Sequence, residues 1–175
     1  MAASYSNRGT GAPTRRGALP LRAGALERRL EEEISRAERH GTGLACLLVV
    51  IENLDELASR YGGELVAQAP EYLAAAIEPG LRRFDAVGRP AERELLIVLP
   101  GTDGPRAEVV ARRALERLRA IKVEAQGIRI PLRIAVGLAV WQEEMSAQGL
   151  LESARRAAPG GGAERLEEED ATPPS

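Results

Sequence analysis

The sequence predicts an α/β (α+β) domain in which one mixed sheet carries helices on its faces. Three stretches support this. GLACLLVVI, residues 43–51, is an unbroken apolar run of strand length, as expected of a strand covered on both sides. Ile128, Ile130, Leu132, Ile134, Val136, Leu138 and Val140 alternate with Arg129, Pro131, Arg133 and small residues, which is the period of a strand. Leu26, Leu30, Ile34 and Ala37 recur at helical spacing. Strand and helix patterns interleave along the chain, which implies stacked layers rather than separate helical and sheet parts.

Residues 1–20 are rich in Gly, Ser, Pro and Arg without periodicity and predict a disordered arm. The first helix covers ALERRLEEEISRAERHG, with Gly41 as its stop. After the strand at 43–51, Asn53 stands as a possible cap for a short helix over NLDELASRYG. A second helix spans roughly 64–78 on Leu65, Val66, Ala69, Leu73 and Ile77, and Pro70 must kink it or mark its true start. RRFDAVGRPAERELLIVLPG, 82–101, reads as two short strands around a turn. GPRAEVVARRALERLRAI is a third long helix, with Pro105 near its first turn. The strand at 128–140 is expected to bend or bulge at Pro131, and SAQGLLESARRAA forms a last helix ending at Ala158. The acidic, Gly/Pro-rich stretch 159–175 predicts a second disordered segment, which leaves one domain over 21–158 without internal repeats.

The 175 residues are 44% hydrophobic and 29% charged, as in ordinary soluble globular chains. A net charge of −2 gives no general attraction to nucleic acid or anionic lipid. Cys46 is the only cysteine and sits in an apolar strand, which excludes disulfides and thiolate metal sites and predicts a buried core thiol. His40 is the only histidine, so His-based triads and His-rich metal sites are excluded too. The chain has no apolar run of membrane-spanning length and no secretory leader pattern, so a cytoplasmic location is expected, with no cofactor.

Several strings carry a resemblance. RHGTGLACLLVVIENLDELASRYGGE matches in pattern a first strand and its following helix. RRFDAVGRPAERELLIVLPGTD matches a strand, signature turn and strand, and IRIPLRIAVGLAV matches a later strand. Together, over about residues 20–158, they resemble the GGDEF domain, the module of diguanylate cyclases. The resemblance implies a single nucleotidyl-cyclase-like domain with a largely antiparallel sheet of about five strands. It also implies a chemistry that joins two GTP molecules into cyclic di-GMP, each domain of a dimer holding one GTP. That chemistry needs carboxylates to hold Mg²⁺ against the triphosphate and a turn whose backbone approaches the phosphates.

Here those parts are replaced. The family's Gly-Gly is Ala91-Glu92, whose side chains would crowd a nucleotide, and the acid that follows is Arg93. The first-strand metal Asp falls at Val50, although Glu52 keeps a carboxylate nearby. The residues that read guanine in active members fall at Ala58 and Ala67, and the Tyr-x-Ala-Lys ending is absent before Pro159. The expected protein is therefore not an enzyme, with no catalytic and no metal-binding residues.

One motif survives. Arg82-Arg83-Phe84-Asp85 has the form of the family's Arg-x-x-Asp product site, and Ala86 to Pro90 keep its spacing to the AEREL remnant. Guanine's O6 and N7 suit a two-pronged guanidinium, and its N1–H and N2–H₂ suit a carboxylate. In the family a further Arg from the next helix often completes the site; Arg113 and Arg117, one turn apart on one face, are both candidates. A strand bulge would exchange Arg82 for Arg83. Against this stands a plain surface ion pair, or an Asp85 that serves only the start of the strand. Glu31, Glu32 and Glu33 read as a solvated helix face, Glu92 and Glu94 as turn-tip charges beside Arg93, Glu52 as an orphan of the old metal site, and Trp141 as a lid on the core.

The leading expectation is a catalytically inactive GGDEF-like receptor for cyclic di-GMP, bound as a stacked dimer through Arg82, Asp85 and Arg113 or Arg117. Occupancy would bridge two protomers or dock an unidentified protein partner. The alternative is a ligand-independent dimerisation or docking scaffold; the least favoured is a weak cyclase that uses Glu52 and Glu94.

Overall fold

The computed structural model describes residues 19–159. The arms expected over 1–20 and 159–175 therefore fall, apart from residues 19, 20 and 159, outside the described residues.

Apolar residues that face both sides of a strand demand cover on both sides, and the chain supplies it. In order it forms β1 (Leu21–Arg22), α1 (Ala23–His40), β2 (Leu44–Ile51), α2 (Leu54–Tyr61), α3 (Gly63–Ile77), a 3₁₀ turn (Glu78–Gly80), β3 (Ala86–Arg89) and β4 (Glu94–Pro100). There follow α4 (Gly104–Arg119), β5 (Lys122–Ala125), β6 (Ile128–Pro131), β7 (Ile134–Val140) and α5 (Ala147–Ala157). The main sheet has the order β1-β3-β4-β2-β7; β1 runs parallel to β3 and every other neighbour is antiparallel. The expected mixed, largely antiparallel five-stranded sheet flanked by helices is what the chain forms.

Alternation along β2 and β4 divides the interior in two. Ala45, Leu47, Val49 and Ile51, with Leu95, Ile97 and Leu99, face a core closed by α2, α3 and α4. Leu44, Cys46 and Leu48, with Leu96 and Val98, face a second core closed by α1 and α5. Burial pushes the Cys46 thiol up, away from the reactive thiolate. Trp141 packs at the margin of the second core and donates its indole N–H to Met145 O at 2.9 Å, the lid role expected of it. Gly137 on β7 lies directly beneath the backbone of Ala154 and Ala158, where a Cβ would collide, so α5 rests on the sheet main chain to main chain.

Four expectations need correction. The long strand over 128–140 is two strands: β6 leaves the main sheet and pairs with β5, a strand that periodicity alone does not reveal. Pro131 lacks an N–H for a continuous ladder, and Asn53 fixes the break by donating to Pro131 O (3.2 Å) and accepting from Arg133 N (2.9 Å). Asn53 stands at the start of α2, yet its side chain makes no cap bond because it is spent on this clamp. Helix α3 runs through Pro70, which is buried inside it, so of the two expectations for Pro70, a kink or the true start, the start is excluded. Finally, the acidic run on α1 is not one solvated face. Glu31 and Glu32 are exposed, but Glu33 is buried, because it falls on the same inward stripe as Leu26, Leu30 and Ala37.

Candidate functional site

The β3–β4 hairpin has two ends with different characters. At its tip, Glu94 N donates to Ala91 O at 3.2 Å, closing a turn over 91–94. None of these residues takes a positive φ, so the turn forms without glycine. Arg89 reaches across and donates to Glu92 O at 2.9 Å.

Two of the charges at this tip, Glu94 and Arg93, are paired with residues of neighbouring helices. Arg155, on α5, meets Glu94 in a two-pronged pair: Nε donates to Oε1 at 2.9 Å and Nη2 to Oε2 at 2.7 Å. The Glu94 hydrogen bond holds the Arg155 guanidinium above its ordinary pKa despite partial burial. Arg93 donates to Asp55 of α2 at 2.7 Å. Across the β2–β4 ladder, Val50 stands opposite Glu94. Glu52, two residues beyond Val50, is exposed, as is Ala67; Ala58 is half-buried. Among the described residues no three Asp, Glu, His or Cys side chains gather as a metal site. These residues do not fit a Mg²⁺–triphosphate: Glu94 already has a guanidinium for a partner, and its cross-strand neighbour is a valine.

At the other end, residues 82–85 form a second turn. Asp85 N donates to Arg82 O at 3.1 Å, and the Asp85 carboxylate accepts from Arg82 N at 2.7 Å. The Arg82 side chain then folds back. Its Nη2 donates to Asp85 Oδ1 (3.1 Å), to Pro100 O (2.9 Å) and to Thr102 Oγ1 (2.7 Å). The Asp85 side chain is only 3% exposed, whereas that of Arg82 is 56% exposed. Arg83 and Phe84 occupy the turn tip, and Phe84, the only phenylalanine, is 66% exposed.

The predicted pair Arg82–Asp85 is thus brought together, with Arg82 outermost. Of the two helix candidates, Arg117 lays its guanidinium against Gly80, just before this turn, so closely that a Cβ on Gly80 would collide with it. Arg113 is exposed on α4 and makes no hydrogen bond or ion pair among the described residues. Sequence reading missed Arg155 and Thr102. Nothing local marks Arg155, which meets Glu94 only through the packing of α5 on the sheet. Thr102 follows directly on β4, and its burial is visible only in three dimensions.

An α/β domain whose mixed, largely antiparallel sheet carries this hairpin between helical layers defines the class. The chain belongs to the diguanylate cyclase GGDEF-domain family, whose model matches residues 19–159. It is 27% identical over 156 residues to the diguanylate cyclase DgcP of Pseudomonas aeruginosa, covering 85% of this chain and 22% of that protein. The chain therefore spans about a fifth of that relative's length. Among solved structures, the diguanylate cyclase SiaD of P. aeruginosa, in complex with its activator SiaC, superposes with a TM-score of 0.74 at 21% identity, covering 82% of this chain and 57% of that one. The GGDEF domain of DgcB from Caulobacter crescentus, in complex with cyclic di-GMP, superposes with a TM-score of 0.69 at 15% identity, covering 85% and 88%. These two likenesses concern the fold. The relative named above is a cyclase, so the family is enzymatic. No helix among the described residues is long and apolar enough to cross a membrane.

Proposed function

We propose that this chain is a non-catalytic GGDEF domain that serves cyclic di-GMP signalling as a receptor, binding the dinucleotide at the Arg82 turn in the bacterial cytoplasm. The observation that carries the reading is the contrast between the hairpin's ends. At the tip, Glu94 and Arg93 are consumed by Arg155 and Asp55. At the base, the Arg82 guanidinium is held by Asp85, Pro100 and Thr102, on a side chain that remains more than half exposed.

A guanidinium anchored through Nε and Nη2 keeps Nη1 to donate to guanine O6 or N7, or to a phosphate. Asp85 orients it, and engages guanine N–H groups only by exchanging some of its bonds to Arg82. Arg117 supplies a second cation beside the turn, and Arg113 extends that basic face. The neighbour DgcB is described in complex with cyclic di-GMP, which brings the same ligand to this chain as a proposal. A stacked dimer of the dinucleotide, bridging two protomers or docking a partner protein, fits two-fold symmetric recognition.

The test is calorimetric titration of the full chain with cyclic di-GMP, beside Arg82→Ala and with GTP as control. Saturable binding at micromolar concentration or tighter, abolished by the substitution and absent for GTP, is the expected result. A flat titration at high protein concentration would sink the receptor reading. GTP turnover with Mg²⁺ that disappears in Glu52→Ala would overturn the non-catalytic one.

A second reading, a ligand-independent scaffold, is favoured by one observation. Asp85 is almost wholly buried against its own Arg82, as a structural staple would be. Partner capture unchanged by Arg82→Ala, with no dinucleotide response, selects it.

A further inference from the structure

Glu33 is the buried acid of α1, its side chain 2% exposed, on a stripe that Leu26, Leu30, Ile34 and Ala37 fill elsewhere. Burying a carboxylate is costly unless it is fully paired, so an apolar residue would serve helix packing better. Its Oε1 accepts from Arg29 Nε at 3.1 Å and from Arg36 Nη1 at 3.2 Å. Arg36 is more than half exposed, but Arg29 is only 24% exposed and reaches inward. The free end of Arg29 leaves its own helix: Nη2 donates to Phe84 O at 3.1 Å, across 55 residues of sequence.

Phe84 is the last residue of the Arg82–Asp85 turn tip. That turn is therefore held from three sides: by Asp85 on the Arg82 backbone, by Pro100 and Thr102 at the end of β4, and by Arg29 from α1. The first two grips bear on Arg82. Among the described residues only Arg29 grips the tip.

We propose that Arg29, aligned by buried Glu33, is a positioning residue that sets the Arg82–Asp85 turn for its ligand and ties that turn to α1. The proposal deepens the receptor reading and rests on it for the ligand, but the mechanical link stands on geometry alone. Fixing Phe84 O fixes the peptide plane that follows it, and so the approach of Asp85 to the Arg82 N–H. With Arg29 in place, dinucleotide binding meets an ordered turn and pays no ordering cost. Without it, the turn samples open states in which Arg82 loses its seat.

The experiment compares the full chain with Arg29→Met, Glu33→Gln and Arg36→Ala by residue-resolved amide exchange, followed by the cyclic di-GMP titration. Arg29→Met is expected to speed exchange at the Arg82 and Asp85 amides by about tenfold, the effect of one lost hydrogen bond. Glu33→Gln should give a smaller rise in the same place, and Arg36→Ala none. Amides of Leu47 and Ile97 at the sheet centre report global stability and should stay protected throughout. Unchanged exchange at Arg82 and Asp85 in Arg29→Met overturns the proposal, as does an equal rise at Leu47 and Ile97. If exchange responds as expected and the unaltered chain binds dinucleotide, Arg29→Met should weaken binding several-fold although it does not touch the ligand. If exchange responds and the unaltered chain binds nothing, the positioning link stands and the receptor reading falls.

Discussion

Arg155 shows how much of this molecule's character rests on single side chains. It faces Glu94 with both prongs, from a helix 61 residues further along the chain. Truncating it to alanine leaves a carboxylate that is 12% exposed without its main partner. The expected loss is about 1–2 kcal/mol, reduced by the solvent that reaches Arg155 itself, and read as a lower urea midpoint at unchanged slope. Glu94→Gln, which keeps one acceptor for Arg155, should cost less. An unchanged midpoint in both variants would mean the pair contributes no net stability. At the same scale, legibility in the sequence was uneven. Arg82 and Asp85 were singled out by the Arg-x-x-Asp form that the resemblance supplies, and their pairing was legible because a turn is local. Glu33 did not, since three glutamates in a row look alike until the helix stripe through Leu26, Leu30 and Ala37 is drawn, and that stripe was available to be drawn. Arg155 could not be found at all, because no local pattern says which helix will pack over which turn.

Helices and strands were legible where their periodicity had room to repeat. The helices α1, α3, α4 and α5 and the strand β2 follow from apolar spacing and end at recognisable signals, such as Gly41 after α1 and Asp103, which accepts from Arg106 N, before α4. β5 was missed because its four residues, KVEA, are too few to show a period. The break between β6 and β7 was half-seen at Pro131, while the clamp that completes it comes from Asn53, 78 residues earlier. Two predictions belong here. Asn53→Ala leaves Pro131 O and Arg133 N without their partner and should cost about 1–3 kcal/mol, with exchange at the Arg133 amide rising more than at β2. Gly137→Ala should be worse than Gly88→Ala. The first drives a methyl into the main chain of α5, which cannot yield without lifting the helix, whereas the second meets the side chain of Leu26, which can rotate. Thermal unfolding of the two variants would rank them, and equal midpoints would contradict main-chain contact between α5 and β7.

For the molecule as a whole, a ligand that binds only the folded state must raise the unfolding temperature. Cyclic di-GMP at about a hundred times its dissociation constant should shift the midpoint by roughly 5–10 °C, while GTP with Mg²⁺ should leave it in place. Equal shifts from both would point to nonspecific anion binding on the Arg-rich face. The two-core architecture makes such a measurement interpretable, since β2 and β4 serve both cores and the domain is expected to unfold as one unit. The cross-strand pairing of Val50 with Glu94 carries one more consequence, and it concerns design. An aspartate placed at position 50 would arrive opposite a carboxylate already claimed by Arg155. It would join an ion pair instead of founding a metal site. Building a cation site on this ladder therefore has an order: the arginine on the last helix must leave before a second acid is useful.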